Sequence, residues 1–386
     1  MKKKRQRIVI GLLDGLGVPA FESSSMPFLK KIALQGFYKT VSGVFPSVTN
    51  VNNVSICCGT WPDQHGITAN SYFNPATGAA EYMNAAELIR VPTLFERAAA
   101  LGLKSALLTS KRKTAELFTK GTEIRIAAET AAPQEEARYG KAPDIYSADI
   151  NYWLWQAALD LLATRPDLDI LYVHTTDFPM HAWSEKDPES LEHLLNLDRL
   201  LENAARIDPD AALFFTADHG MNFKSACWDL EKVCRESGLE VRFVLSPERD
   251  YYIKHHRNFT GCSWIWLKNE KDREPVKAIL RKLSGVEQVL DASEAARRFH
   301  IDQARIGDLV VLGDCTTMFG EMDRPFESLP SHYRAHGSLY EMELPLIIWN
   351  YRDPLPKPDY FQNNFNLTSF LFPTTGQAGA AKNLHA

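Results

Sequence analysis

No stretch of this 386-residue chain approaches the roughly 20 consecutive apolar residues that a membrane-spanning helix needs. No membrane partner is therefore expected. Cysteine is sparse as well: there are 6, with Cys57 and Cys58 adjacent and none at zinc-ligand spacing. That excludes a disulfide-stapled scaffold and a zinc finger, and it suits free, buried thiols in a reducing cytoplasm. Positive charge is in deficit, with 43 Lys and Arg against 48 Asp and Glu, a formal net charge of -5. A nucleic-acid binder would need a basic surface to meet phosphate backbones, so that class is set aside. Internal repeats and low-complexity segments are missing too. The one basic run, "MKKKRQR", leads into "IVIGLLDGLG". Asp14 interrupts the apolar part, and no small-residue cleavage site follows, so the run reads as a solvated tail before a strand. The closing "TGQAGAAKNLHA" is small and polar and is expected to be disordered. Nothing in the sequence sets an oligomeric state.

What is there is ordinary for a soluble globular protein, 45% hydrophobic and 24% charged. The length fits one large domain with an insertion, or two domains. Short continuous apolar runs predict strands at Ile8–Leu13, Ser105–Thr109, Asp169–His174, Ala212–Thr216 and Leu344–Trp349. Amphipathic patterns predict helices over Pro92–Leu101, Tyr152–Arg165 and Leu191–Ile207. The strands do not alternate, which suits a sheet buried on both faces. The fold class is thus α/β, a mostly parallel central sheet flanked by helices. Between about Asn222 and Asp323 the texture changes to short elements such as "EVRFVL", "CSWIWLK", "EPVKAILRKL" and "DLVVLGD". This segment, 223–322, reads as an inserted, smaller α+β cap domain. Residues 1–222 and 323–386 then form the core.

Ligands of open α/β sheets bind at the carboxyl ends of the strands. Those ends carry an unusual inventory here. "IVIGLLDG" brings Asp14, and "LDILYVHTTDFPMH" brings Asp177 and His181. "ALFFTADHGM" brings Asp218 and His219, and His336 precedes the last strand in "SHYRAHGSLYEMELPLII". One acidic residue after a strand is often only a helix cap. Three carboxylates and three imidazoles on one sheet edge suit zinc or a similar divalent ion. Six ligands suffice for two three-ligand sites with open positions, as in two-metal phosphoryl-transfer enzymes.

The stretch "FPSVTNVNNVSICCGTWPDQHGI" places Thr49 at a helix start, where backbone N–H groups and the helix dipole favour an anion. Threonine is also a good N-cap. A cap alone leaves Asn50, Asn52, Asn53 and the nearby metal set unexplained. A metal ion on the hydroxyl would make Thr49 a nucleophile. Asn70 or Asn50 could donate to a phosphoryl oxygen. His65 is expected to brace the loop after the helix, and His174 to be core. His255 and His256 could face the site or merely its surface.

This set of motifs resembles the alkaline phosphatase superfamily. Its marks are an Asp after the first strand, a Thr or Ser at a helix start, Asp-x-x-x-His, Asp-His-Gly and a late His-Gly. Within its nucleotide pyrophosphatase/phosphodiesterase-like branch, the chain is similar to the phosphonoacetate hydrolase family. Segments such as "NPATGAAEYMN", "RVPTLFERAAALGLKSALLTSKRK", "PDIYSADI" and "RIGDLVV" carry that likeness beyond the metal motifs. The resemblance implies two Zn2+ per chain, with Mn2+ or Fe2+ as other possible ions. One would sit on Asp177, His181 and His336, the other on Asp14, Asp218 and His219 with Thr49. It implies Thr49 as nucleophile, a phosphothreonine intermediate, and cleavage of the C–P bond of phosphonoacetate to acetate and phosphate. Lys111 and Lys113 of "TSKRK" match the pair that holds the substrate carboxylate. Arg112 stands where the family pattern has an acidic residue and would make the pocket more cationic. A phosphodiesterase or phosphomonoesterase of the same superfamily would share every metal ligand and also act on a small anionic substrate. A cofactor-independent phosphomutase normally uses serine, which counts against it. A non-catalytic metal-binding protein gives no reason for the threonine.

Overall fold

The computed structural model describes residues 5–372. The first residues of the basic tail and the closing segment 375–386 lie outside the described residues. In chain order the main strands are β1 (Ile8–Leu12), β2 (Phe37–Ser42), β3 (Ser105–Thr109), β4 (Ile124–Ala127), β5 (Ile170–His174) and β6 (Ala212–Thr216). They continue with β7 (Val241–Leu245), β8 (Cys262–Leu267), β9 (Val286–Asp291), β10 (Leu309–Gly313) and β11 (Glu343–Trp349). Helices that bear on the site are α1 (Thr49–Cys58), α2 (Arg112–Leu117), α3 (Asp149–Thr164), α4 (Phe178–Ala182), α5 (Pro188–Ile207) and α6 (Ile253–His256).

Seven strands form the central sheet in the order β2-β11-β6-β1-β5-β3-β4. The five from β6 to β4 run parallel, and β11 is antiparallel to both of its neighbours. The fold is therefore the expected α/β class, with a large, mostly parallel sheet flanked by helices. The sequence reading missed β2 and β4. Both are edge strands whose residues alternate between half-buried and exposed over much of their length, so neither shows the continuous apolar run that marks β1, β3, β5 and β6.

A second, four-stranded antiparallel sheet has the order β7-β8-β10-β9. Along β8 the period-two alternation sends Trp264 to one hydrophobic cluster and Ile265 to another on the opposite face. A small three-stranded sheet joins Ala226–Trp228 to Thr317–Phe319 and Phe326–Ser328. Five cysteines are buried and free as expected, whereas the free Cys315 is exposed in the turn between β10 and Thr317. Among the described residues no helix is long and apolar enough to cross a membrane.

Candidate active site

Strand register assembles the site. In the sheet, Leu12 pairs with Thr216 on one side and with His174 on the other, and His174 pairs with Thr109. Four adjacent parallel strands therefore end level. The residues two or three positions beyond those ends are Asp14, Asp218, Asp177 and Lys111, which adjacent-strand spacing of roughly 4.8 Å sets side by side. Gly15 makes the turn after Asp14 possible. Its φ is +80°, and a Cβ there would lie 3.0 Å from Met180 and 3.2 Å from the Cβ of Asp177. Its N–H donates to Asp218 Oδ1 at 3.1 Å.

Every residue of α1 is buried. Val48 holds the N-cap position with extended backbone and makes no side-chain cap, so Thr49 is the first helical residue rather than the cap. Its Oγ1 lies 3.2 Å from His219 Nε2 and 3.4 Å from Asp14 Oδ1. The asparagines that follow are braces. Asn50 Nδ2 donates to the carbonyls of Ala69 and Met83. Asn52 accepts from the Val44 N–H and donates to the Val44 and Pro46 carbonyls. Asn53 accepts from the Tyr172 hydroxyl and meets His174 Nδ1. The amide N–H groups of Asn50 are thus engaged on carbonyls and are not free to donate to a phosphoryl oxygen. At the far end, His65 lies 2.7 Å from Ser55 Oγ and accepts from the Ile67 N–H, bracing the loop after the helix.

Around the Thr49 hydroxyl the ligand atoms of Asp14, Asp218 and His219 lie within 4.8 Å of one another. Asp177 Oδ2 lies 2.9 Å from His181 Nε2 and 3.6 Å from His336 Nε2, so the expected trio meets on one carboxylate oxygen. The compact sets differ slightly from that trio. They join Asp177 and His336 with His219, and Asp177 and His181 with His255. The His219 and His336 rings stack with centroids 3.6 Å apart, which brings the two expected sites against each other. The second ring nitrogens are held by carbonyls, His181 by Arg334, His219 by Gly220 and His336 by Ser47. Such bonds fix the ring orientation of a metal-ligating histidine. His174 is fully buried as expected, yet its Nε2 also lies 3.3 Å from Asp14 Oδ2.

The electrostatics fit a cation. Three carboxylates and several imidazoles share this space with one ammonium, Lys111, whose Nζ donates to Asp14 Oδ2 at 3.0 Å and to Asp177 Oδ1 at 3.3 Å. Burial and the charge of Asp177 push Asp14 up, but Lys111 and His174 outweigh them and hold it well below the usual carboxylate range. Burial, then Asp14 and Asp177, push Asp218 well above that range. Burial holds His219 down to about 3. Burial likewise opposes protonation of His336, but Glu248 and Asp177 carry it up to about 9. Asp218 Oδ2 and His336 Nε2 are buried without a hydrogen-bond partner. A divalent cation would satisfy both atoms and balance the carboxylates.

Lys113 belongs to a different group. It forms an ion pair with Asp250, donates to Asn70 Oδ1 at 3.0 Å, and lies 5.6 Å from the Tyr252 ring centroid. Asn70 in turn donates to Glu248 Oε1 at 3.1 Å. The structure thus separates the two lysines: Lys111 joins Asp14 to Asp177, while Lys113 and Asn70 face the connection between β7 and β8. Arg112 corrects an expectation. It is not enclosed in the pocket: 49% of its side chain is exposed, and its guanidinium lies over the Tyr251 ring, 5.6 Å from the centroid. The sequence reading missed Glu248, Asp250 and Tyr252. It left His255 and His256 open, and both turn inward. His255 Nε2 lies 3.7 Å from Asp177 Oδ1, and His256 Nε2 lies 3.7 Å from Glu248 Oε1. The density of carboxylates, rings and imidazoles in "PERDYYIKHH" was the available signal.

A mostly parallel sheet with an Asp/His cluster at its strand ends and a threonine on a buried helix start defines a class, the hydrolases of the alkaline phosphatase superfamily. Within it, residues 8–339 match the family model of type I phosphodiesterase / nucleotide pyrophosphatase, and the chain belongs to that family. Among solved structures it is similar to phosphonoacetate hydrolase from Sinorhizobium meliloti in complex with phosphonoformate. The identity is 30%, 94% of each chain is covered and the TM-score is 0.84. It shares its fold with murine ectonucleotide pyrophosphatase / phosphodiesterase 5 in complex with AMP, at 16% identity, 95% and 94% coverage and a TM-score of 0.70. Among curated proteins it matches an uncharacterised pyrophosphatase/phosphodiesterase of Schizosaccharomyces pombe, 25% identical over 46% of this chain and 36% of the relative. It also matches venom phosphodiesterase 2 of Crotalus adamanteus, 26% identical over 55% of this chain and 26% of the relative. The matches span about a quarter to a third of the length of these curated relatives.

Proposed function

We propose that this chain is a phosphonoacetate hydrolase that forms acetate and phosphate through a phosphothreonine on Thr49. The observation that carries the reading is the Thr49 hydroxyl. It stands free of capping at the start of a buried helix, within 3.4 Å of both Asp14 and His219. The likeness to the Sinorhizobium meliloti enzyme over 94% of each chain supports the substrate. The core would be 1–222 with 323–386, and 223–322 the cap that closes the leaving-group side. The free thiols favour a cytoplasmic location.

Two divalent ions, zinc foremost, would be held by Asp14, Asp218 and His219 and by Asp177, His181 and His336, and would supply positive charge to the phosphoryl oxygens and lower the hydroxyl pKa. Thr49 Oγ1, its proton passed to solvent water, attacks phosphorus, and the N-terminus of α1 favours the negative charge gathered there. As the O–P bond forms the P–C bond breaks. Its electron pair passes to a carbon conjugated with the carboxylate, and an enolate leaves. Lys113, braced by Asn70, stabilises that growing charge, which exists only late in the step. A proton from water completes acetate. A second water displaces phosphate from Thr49 and restores the hydroxyl.

A phosphodiesterase is the second reading, favoured by the family model and by the Asp250 carboxylate already paired with Lys113. Phosphate release from phosphonoacetate, compared with hydrolysis of a nitrophenyl phosphodiester, separates the two. Turnover of the diester alone would overturn the phosphonoacetate assignment.

A further inference from the structure

The connection between β7 and β8 lies over the site, with His255 Nε2 3.7 Å from Asp177 Oδ1, and its Asp250 pairs with a lysine of the core, Lys113. Lys113 and Asp250 are both buried, with 3% or less of either side chain exposed. Asp250 uses its two oxygens differently. Oδ2 pairs with Lys113, while Oδ1 accepts from the Tyr251 N–H at 2.7 Å. The Asp250 N–H donates to Asn258 Oδ1, in the same connection, at 2.9 Å. Asp250 is therefore fixed within a compact turn, and the turn is tied to the core at Asn70 and Ser71. The Asn70 N–H donates to the Pro247 carbonyl at 2.8 Å, and Ser71 Oγ donates to the Arg249 carbonyl at 2.7 Å.

We infer that Asp250 is a specificity-determining residue. It holds, on Lys113, the place that the carboxylate of the substrate takes, and binding exchanges one carboxylate for the other. This rests on the phosphonoacetate reading above. A buried ammonium compensates one carboxylate well. A second on the same ammonium leaves a buried charge without a partner, which is costly. An arriving carboxylate therefore displaces Asp250. A leaving group without a carboxylate has nothing to offer Lys113 in return for the broken pair, so the turn stays closed over the leaving-group side. Asp250 therefore sets the preference between the two: a carboxylated leaving group bears the cost of the exchange, and an uncharged one, accepted with the pair intact, does not.

The test is Asp250→Ala, which leaves Lys113 buried and unpaired. The KM for phosphonoacetate should fall about tenfold, because a charged hydrogen bond no longer has to be given up. The ratio of kcat/KM for phosphonoacetate to that for 4-nitrophenyl phosphate should rise by a similar factor. Sodium acetate should raise the melting temperature of the variant and leave that of the parent protein unmoved, since acetate fills the vacated place. Asp250→Asn, which keeps an oxygen for the Tyr251 N–H, should behave likewise and serves if the alanine variant does not fold. An unchanged or lower substrate ratio overturns the inference, as does an acetate shift that is equal in both proteins or missing from both. If the parent protein releases no phosphate from phosphonoacetate, the activity reading fails, and the acetate response still decides the role of Asp250.

Discussion

Lys111 and Lys113 sit two residues apart, and the structure predicts that replacing them has different consequences. Lys113→Met removes an ammonium that meets Asp250 and Asn70, on what the proposed function makes the leaving-group side. A hydrogen bond to a charged group contributes about 1.5–3 kcal/mol. At about 1.4 kcal/mol per decade, that is roughly ten- to a hundredfold in phosphonoacetate kcat/KM. The loss should fall mainly on kcat if the lysine serves the enolate, and hydrolysis of 4-nitrophenyl phosphate should change much less. Lys111→Met removes the ammonium shared by Asp14 and Asp177. Both carboxylates orient the reacting centre, so both substrates should suffer together. Breaking a buried pair by deleting one partner costs about 3–5 kcal/mol. Metal-free Lys111→Met should therefore melt well below the parent, and added zinc should recover most of the difference by supplying the missing positive charge. The assay is kcat and KM on both substrates for each variant at measured metal content, with thermal melts before and after zinc. Equal losses on both substrates for Lys113→Met would place that lysine on the phosphoryl group. No loss on either would remove it from the site.

Thr49→Ala should abolish turnover of every substrate while metal content stays unchanged, and Thr49→Ser should retain part of it. Substantial activity in the alanine variant, read by phosphate release, would show that water attacks phosphorus directly. Elemental analysis of protein purified without chelator should give about two divalent ions per chain, and dialysis against a chelator should stop catalysis reversibly. One tight ion with full activity would refute the two-site arrangement. Glu341 provides a test by pH. It accepts from Lys224 at 2.7 Å and from the Ser338 N–H and hydroxyl, and so ties the loop after Asp218 and His219 to the loop of His336. Burial raises its pKa, but Lys224 and its hydrogen bonds prevail and depress it. A depressed carboxylate stabilises the fold above its unfolded pKa of about 4.3, and the contribution is lost as pH falls through the folded value. The stability gap between parent and Glu341→Gln, from urea melts of metal-free protein, should therefore be full at pH 7 and shrink below about pH 4. A gap independent of pH would mean that the loss is one of packing.

The sequence by itself determined the sheet and the chemistry it carries. Buried parallel strands must be apolar throughout, so β1, β3, β5 and β6 stand out as uninterrupted runs, and polar residues can begin only where each strand stops. That is why Asp14, Asp177, Asp218 and His219 were legible as residues of strand ends before any geometry was known. The edge strands β2 and β4 were not, because a half-solvated strand tolerates polar residues and loses the signal. Only the tertiary structure decided which strand ends are neighbours, and hence that Lys111 lies between two carboxylates while Lys113 turns away to Asp250. Three facts had the same origin: the asparagines after Thr49 are braces, Arg112 is not enclosed in the pocket, and a turn far downstream in the chain supplies Asp250, Glu248 and His255. Periodicity reports which side of an element is buried. What that side meets depends on strand order and crossover, which no local pattern of residues encodes.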